Sequence, residues 1–334
     1  MKINNKRVLI IILLIVLITI SLSVVPRMIV RQKEPIKIIF IPKVIDEKNE
    51  FWSALTAGSR MAADEYNVDL TIVAPDKEED YEEQNRLVLW AIDQKPDAIM
   101  IAPSHYTESY AAASKVVQHN ITLLLVDSEV EQKVADSLVA TDNFIAGNKM
   151  GRIANEYIDD STQIAIVGHV KTSSTAIERI RGLKYAIGNR SDQIVDTVFC
   201  DSMFDKAYDI TVELMKDHPE INMIIGTNEY AAVGAANAIK DLGLSQQVKM
   251  IGFDNSIEEV QLLEEGVFLG LVIQKPFNMG YLAVRQTIKA IKGDTEQQFL
   301  DSGSEIITKE NMYTEQNQKL LFPFVGRQFR DADN

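Results

Sequence analysis

The sequence predicts an α/β protein of two doubly wound lobes, each built on a parallel β-sheet, behind an apolar N-terminal segment. Apolar, β-rich runs alternate with amphipathic stretches from Ile36 onward, which is the order of a βαβ protein. Runs such as 36–42 and 97–102 are apolar at nearly every position, so both of their faces need cover, as in parallel sheets flanked by helices. The length of 334 residues suits two such units better than one.

Residues 8–25 form an apolar run without a charge. As a helix, these 18 residues would span about 27 Å, close to the ~30 Å hydrocarbon thickness of a bilayer. Three cations precede the run, so the positive-inside rule keeps residues 1–7 in the cytoplasm and the body outside (Lys2, Lys6 and Arg7). We therefore expect a single transmembrane anchor at 8–25 and a linker at 26–35. The alternative is a cleaved signal peptide, for which Val25-Pro26-Arg27 is a poor cleavage site.

After the linker, the periodicity predicts strands that alternate with helices. The strands are expected at 36–42, 69–73, 97–102, 121–126, 163–167, 194–200, 221–226, 248–252 and 267–273. The helices are expected at 51–66, 80–94, 107–119, 144–159, 174–187, 205–217, 229–242, 257–265 and 276–292.

Composition argues against several classes of function. The formal net charge is −14, and because the N-terminal segment is cationic the body is still more acidic, so no nucleic-acid partner is expected. Cys200 is the single cysteine and ends an apolar run, which favours a buried structural thiol. The four histidines are scattered singly and no glycine-rich phosphate loop occurs, so neither a metal nor another cofactor is expected.

Polar and aromatic side chains follow the predicted strands at their carboxyl ends, where open parallel sheets bind ligands. Most of them carry flat rings or hydrogen-bonding groups. A sugar alternates apolar C–H faces with hydroxyl rims, and such side chains can match both features. These residues are Asn49, Phe51, Trp52, Ser104, His105 and Asp127 in the first half, and residues 169–179, Phe204, Asn228, Asp254 and Gln274 in the second.

Eight segments in the expected order resemble the type I periplasmic binding proteins, the family of the ribose- and xylose-binding proteins. One segment alone is weak, but all eight in order make the resemblance specific. It covers roughly residues 36–308 and implies two lobes that close around a small sugar, without catalysis. The segments are 48–58, 123–128, 141–147, 173–183, 203–209, 226–235, 251–256 and 272–276.

The resemblance also implies three crossovers between the lobes and a set of ligand contacts. Residues 36–141 and 276–303 would form the N-terminal lobe, and residues 142–275 and 304–334 the C-terminal lobe. A structural role, such as a core aromatic ring or a helix cap, is the alternative for each contact. The implied contacts are Asn49, Phe51, Trp52, Asp127, Arg179, Phe204, Asn228, Asp254 and Gln274.

Two positions depart from the family pattern. Ser128 stands where the ribose-binding pattern has an arginine, so a different pentose such as xylose, a hexose or a polyol is expected. Glu50 stands where the family often has proline.

Two other functions compete with sugar reception, and reception itself could serve a sensor or a transporter. A transcription factor of the lactose-repressor family shares this body, but here an apolar span replaces its DNA-reading head. A glycosidase using Asp127 and Asp254 would need the two carboxyl groups at set distances across the scissile bond. Among receptors, the short linker favours a sensor that signals to a membrane histidine kinase in a two-component system, and the alternative is the solute-binding component of an ABC sugar transporter that serves a permease.

Overall fold

The computed structural model describes residues 35–294 and 298–322, together with Leu13. The expected anchor at 8–25 therefore lies, apart from Leu13, outside the described residues, as do the linker up to residue 34 and the chain after 322. Among the described residues, no helix combines the length and the apolar character that a membrane crossing requires.

The first sheet is parallel throughout. Its strands are β1 (Ile36–Ile41), β2 (Val68–Ile72), β3 (Ala98–Ile101), β4 (Thr122–Val126), β5 (Ser137–Ala140) and β11 (Phe299–Asp301). They lie in the order β11-β5-β4-β3-β1-β2. Each neighbouring pair is parallel.

The second sheet repeats this plan with one difference. Its strands are β6 (Ile164–Gly168), β7 (Ile194–Phe199), β8 (Met223–Gly226), β9 (Lys249–Phe253), β10 (Phe268–Gln274) and β12 (Ser304–Ile307). They lie in the order β12-β10-β9-β8-β6-β7. Because β12 pairs antiparallel with β10, the prediction of purely parallel sheets was wrong at this edge.

Helices cover both sheets. They are α1 (Glu50–Tyr66), α2 (Tyr81–Asp93), α3 (Tyr110–Gln118), α4 (Asn143–Asn155), α5 (Ser174–Ile187), α6 (Phe204–Asp217), α7 (Glu229–Asp241), α8 (Ile257–Glu265), α9 (Pro276–Ile291) and α10 (Glu315–Leu321). The sheet side chains beneath them are excluded from solvent, as at Phe40, Met100 and Leu124 in the first sheet and Ile166 and Ile225 in the second. The predicted α/β fold with two parallel-sheet lobes is confirmed.

The chain passes between the sheets three times. It leaves β5 for α4, leaves β10 for α9, and leaves β11 for β12. Helix α9 returns to the first sheet and packs against α1. In each sheet the strand order reverses beside the first strand of its lobe, between β1 and β3 and between β6 and β8, which is where a doubly wound sheet opens a crevice.

Four short elements escaped the sequence analysis, namely β5, β11, β12 and α10. Each has only three to seven residues, too few to show a period. Helix α3 begins at Tyr110 rather than at 107, because the imidazole Nδ1 of His105 accepts the backbone N–H groups of Thr107 and Glu108 and stabilises a turn there. Cys200 is fully buried, and burial raises the pKa of its thiol to about 11.

Paired glycines bring helices into backbone contact in both lobes. A Cβ atom on Gly58 would lie 2.0 Å from the carbonyl oxygen of Phe277, and one on Gly280 would lie 1.9 Å from that of Leu55. In the other lobe, a Cβ on Gly147 would lie 2.0 Å from the carbonyl oxygen of Arg179. Helices α1 and α9 are thus locked together in one lobe, and α4 and α5 in the other.

We expect Gly280→Ala to lower the free energy of unfolding by about 1–3 kcal/mol, because the added methyl group meets backbone that cannot rotate away. The gain in helix propensity, at most about 1 kcal/mol, is smaller than this overlap. Urea denaturation of residues 35–334 followed by circular dichroism measures the change. Arg60→Ala, at an exposed position of α1, is the matched control and should change stability by less than ~0.5 kcal/mol. An equally stable Gly280→Ala protein would contradict the close packing of α1 on α9.

Candidate functional site

A small cavity lies where the carboxyl edges of the two sheets face each other. Its volume is about 20 Å³, so the lobes are closed on one another and leave room for little more than a water molecule. Two larger grooves, of about 570 and 340 Å³, open to solvent between the lobes. The charged side chains of both lobes converge on the small cavity, which makes it the candidate site. Its lining consists of Lys43, Asn49, Phe51, Trp52, Glu78, Asp127, His169, Thr175, Arg179, Asn228, Tyr230, Asp254 and Gln274.

Eight of the nine residues singled out from the sequence line this cavity. The exception is Phe204, which does not. Its ring packs on Tyr230 with 4.6 Å between the ring centroids and is partly buried against the core of the second lobe. A ligand contact at Phe204 therefore stays a prediction that the lining of this cavity does not support.

The two cavity aspartates follow strands directly and share an unusual backbone conformation. Asp127 follows β4 with a φ of 64°, and Asp254 follows β9 with a φ of 87°. Asparagine and aspartate are the non-glycine residues that tolerate this left-handed region best. Such strain persists only where surrounding contacts enforce it, and it is concentrated at functional sites.

Asp127 is held by a cation that the sequence analysis missed. The ammonium Nζ of Lys43 lies 2.8 Å from Asp127 Oδ2, and both side chains are almost fully buried. Lys43 also donates to the hydroxyl Oγ of Ser173 in the other lobe, at 3.3 Å. Lys43 thus supplies positive charge at the carboxylate where Ser128 replaces the arginine of the ribose-binding pattern. The hydroxyl of Ser128 instead donates to the carbonyl of Pro103.

Glu78 connects an aromatic wall of the cavity to the opposite lobe. One carboxyl oxygen accepts from the indole Nε1 of Trp52, and the other accepts from the hydroxyl of Ser202 at 2.6 Å. Burial raises the pKa of Glu78, while the nearby Lys43 charge opposes that shift. Trp52 and Phe51 meet edge to face with ring centroids 5.1 Å apart, so the wall is rigid.

Asp254 and Gln274 form the corresponding wall of the second lobe. Asp254 Oδ1 accepts from Gln274 Nε2 at 2.7 Å, and Oδ2 accepts from the backbone N–H of Glu229 at 3.0 Å. Burial raises the pKa of Asp254, and the charge of Arg179 opposes the rise. Gln274 Oε1 in turn accepts from Thr141 at the crossover after β5, which ties the wall to the hinge.

Arg179 is fixed on three sides. Its Nε donates to Asn143 Oδ1 and its Nη1 to the carbonyl of Thr227, both at 2.8 Å. Its guanidinium carbon lies 3.7 Å from the centroid of the Phe253 ring. Burial lowers the pKa of Arg179, but a guanidinium stays charged in proteins. Among the described residues no partner is recorded for Nη2, which leaves it as a donor for a ligand.

His169 plays a structural part rather than that of a titrating base. Its ring nitrogens bond the hydroxyls of Thr227 and Thr175, at 2.9 and 2.8 Å. Burial, reinforced by the charges of Arg179 and Lys43, holds the pKa of His169 well below its ordinary value. The imidazole is therefore neutral and links the end of β8 to the start of α5.

Asn49 and Asn228 cap helices as well as lining the cavity. Asn49 Oδ1 accepts the Trp52 N–H at the start of α1, and Asn228 Oδ1 accepts the Ala231 N–H at the start of α7, both at 3.0 Å. The caps fix which way each amide points. Each Nδ2, which has no recorded partner among the described residues, is left to donate to a ligand.

Five cavity residues were not among the nine ligand contacts implied by the family resemblance: Lys43, Glu78, His169, Thr175 and Tyr230. His169 and Thr175 do lie in the range 169–179 that was named at the strand ends. The rule that ligands lie beyond strand ends covers Lys43 after β1 and His169 after β6. Glu78 lies in the loop between β2 and α2, where an acidic run gives no sign of a buried member. Within the described ranges, no group of three His, Cys, Asp or Glu residues is arranged to hold a metal ion.

Comparison with known proteins gives this geometry a family. Residues 38–295 match the model of the periplasmic binding protein domain. The chain is 26% identical over 267 residues to the ribose import binding protein of Bacillus subtilis, covering 78% of this chain and 84% of that one. A sugar transporter structure from Clostridium phytofermentans shares 43% identity with a TM-score of 0.78, covering 82% of this chain and 99% of that one.

A third likeness concerns the fold alone. The carbohydrate transporter solute-binding protein of Agrobacterium radiobacter, solved with D-arabinose, is 24% identical with a TM-score of 0.81, over 87% of this chain and 100% of that one. The named relatives are solute-binding proteins, not enzymes. This chain belongs to the periplasmic binding protein family.

Proposed function

We propose that the protein is an extracytoplasmic receptor that closes its two lobes around one monosaccharide. One observation carries this proposal: hydrogen-bonding groups from both sheet edges and three aromatic rings meet in a single cavity. The family name itself implies a body outside the cytoplasm.

The available groups divide into donors and acceptors that match a ring of hydroxyls. Asn49 and Asn228 offer amide N–H groups, and Arg179 offers a charged donor. The carboxylates of Asp127 and Asp254 have further lone pairs for hydroxyl hydrogens. Since the groups lie on different lobes, a sugar bonded to both stabilises the closed state by its differential affinity for that state.

The relatives give the first sugars to test. The Bacillus subtilis protein is named for ribose, and the Agrobacterium radiobacter protein was solved with D-arabinose. Ser128 argued from the sequence against ribose itself, yet Lys43 places a cation beside Asp127. We therefore propose a pentose or a similar monosaccharide, with ribose, arabinose and xylose tested side by side.

For the partner, we propose the permease of an ABC sugar transporter. The relatives named as import or transporter proteins support this choice over a histidine kinase. The sensory function remains the second candidate because of one sequence feature. Residues 8–25 would hold the receptor in the membrane, and the linker of about ten residues would keep its lobes within ~35 Å of the bilayer.

We expect Arg179→Ala and Asp254→Ala each to weaken sugar binding by about 2–5 kcal/mol, because each leaves a buried polar partner unpaired. Isothermal titration calorimetry with the best-binding sugar of the panel measures this loss. Lys184→Ala, at an exposed position on the same helix as Arg179, is the matched control and should bind like the wild type. Wild-type affinity in both site variants would refute the site.

The partner is tested by purifying the full-length chain from membranes with and without sugar. We expect a transporter permease to be recovered in larger amount when sugar is present, since closure changes the surface that both lobes offer. Recovery of a histidine kinase without a permease would contradict the transport proposal and support the sensory one.

A further inference from the structure

Outside the cavity lining that faces a sugar, two glutamates connect the lobes through helix ends. The carboxylate of Glu229, at the start of α7 in the second lobe, accepts the backbone N–H of Glu50 in the first lobe, at 3.1 Å to Oε2 and 3.4 Å to Oε1. The carboxylate of Glu50 accepts the backbone N–H of Ile257, at the start of α8 in the second lobe, at 3.0 Å. Each glutamate therefore caps a helix of the opposite lobe.

These two contacts between the lobes are specific to the closed arrangement. Glu50 and Glu229 each occupy the first turn of their own helix, whose caps are Asn49 and Asn228. Because each helix already has an asparagine cap, neither needs an acidic residue in its first turn for its own capping. The N-terminal N–H groups of α1 and α8 gain these carboxyl acceptors only when the lobes meet, and the acceptors satisfy donors that a helix leaves unpaired at its N-terminus.

The two glutamates differ sharply in their surroundings. Glu50 is exposed, whereas Glu229 is only 2% exposed. Two further buried carboxyl groups face Glu229, namely Asp254 at the end of β9 and Glu259 on α8. Burial, with the charges of Asp254 and Glu50, raises the pKa of Glu229 to about 8, although the N–H groups of Glu50 and Phe51 oppose the rise.

Among the described residues, the lysines near this cluster are already paired with other carboxylates. Lys275 and Lys319 line the same 340 Å³ groove as Glu229, but Lys275 is 3.0 Å from Glu305 and Lys319 is 2.6 Å from Glu315. Arg179 acts on Asp254, and the hydroxyl of Tyr230 donates to Asp46 at 2.8 Å. The groove opens to solvent, so protons and water reach the cluster without unfolding.

We propose that Glu50 and Glu229 are positioning residues that latch the closed lobes through reciprocal helix caps, and that proton loss at Glu229 releases the latch. In the closed state the protonated carboxyl of Glu229 still accepts the Glu50 N–H through its carbonyl oxygen. After ionisation, its charge lies buried against two other carboxyl groups. Asp254 and Glu259 belong to the same lobe as Glu229, so opening of the lobes acts by admitting water, which solvates this charge and screens the repulsion.

The sign of the pH dependence follows from linkage. In the closed structure, burial raises the pKa of Glu229 from its ordinary value of about 4.5 to about 8. The latch requires that opening of the lobes returns this pKa towards its ordinary value, so that the closed state binds an extra proton between the two values. Its contribution to closure is complete below the ordinary pKa and is lost as pH rises towards 8. The closed fraction therefore falls as pH increases, by at most about tenfold in the closure constant per pH unit, and levels off above pH ~8.

The test reads closure directly and needs no sugar. Trp52 is 3% exposed in the closed cavity and Trp90 is 41% exposed on α2, so Trp90→Phe leaves one reporter of the cleft. In this background, we expect the emission of Trp52 to shift to longer wavelength from pH 5 to pH 9 as the lobes open. Small-angle X-ray scattering should show the radius of gyration rising over the same range.

Three variants assign the effect. Glu229→Gln keeps a carbonyl acceptor without a titrating proton, so its emission should be independent of pH and remain that of the closed form. Glu50→Ala should lower the closed fraction at every pH while retaining the slope. Glu47→Gln, at an exposed position in the loop before α1, is the control and should behave like the parent.

Two results would overturn the latch. One is an emission of the parent that does not change between pH 5 and 9. The other is a Glu229→Gln protein that opens with pH as the parent does, which would assign the transition to Asp254 or Glu259. The inference rests on the proposed closure of the lobes but not on the ligand, so failure to bind any sugar in calorimetry would refute the function and leave this result standing.

Discussion

The closed structure requires that every charge buried between the two sheet edges has a partner of opposite charge. Lys43 and Asp127 satisfy each other within the first lobe, and Arg179 lies beside Asp254 in the second. Hydrogen bonds from Lys43 to Ser173 and from Ser202 to Glu78 then connect these charged groups to the opposite lobe. Unpaired, any of these groups would oppose closure, because burial of a lone charge costs far more than a hydrogen bond returns.

The scaffold delivers these groups by the same means in both lobes. Parallel strands end at one edge, so residues far apart in sequence, such as Lys43 and Asp127, become neighbours. Close backbone contacts between helices, at the paired glycines, then fix the positions of these helices relative to each other. The contact of Gly147 with the backbone of Arg179 shows the connection to function, since it fixes the segment that carries the guanidinium.

Much of this architecture could be predicted from the sequence, because long apolar runs and amphipathic periods report burial on one or both faces. The strands from β1 to β4 are examples. Strand β12 could not be found this way, since its four residues pair antiparallel on an edge that the chain reaches only after three crossings. Elements that owe their structure to distant partners leave little local signal.

The residues of the candidate site also divide into those with a local sequence signal and those without one. Asp127 and Asp254 could be predicted because each follows a buried strand directly. Glu78 could not, because its burial depends on Trp52 and on Ser202 of the other lobe. Phe204 shows the same ambiguity, because an aromatic residue shortly after a strand end suits either a ligand or a neighbouring ring, and here its ring packs on Tyr230. The sequence shows which residues reach the sheet edge, but not which of them face across it.

The left-handed backbones at Asp127 and Asp254 limit how this binding site can diversify. A long or β-branched side chain at either position would add steric cost to the charge it removes, so exchange there is restricted to asparagine, glycine and aspartate. New ligand preferences are then more accessible through Lys43, Thr175 and Tyr230, whose backbones are not in the left-handed region. In the proposed site, a change of ligand would therefore leave the two aspartates in place and fall on the residues between them.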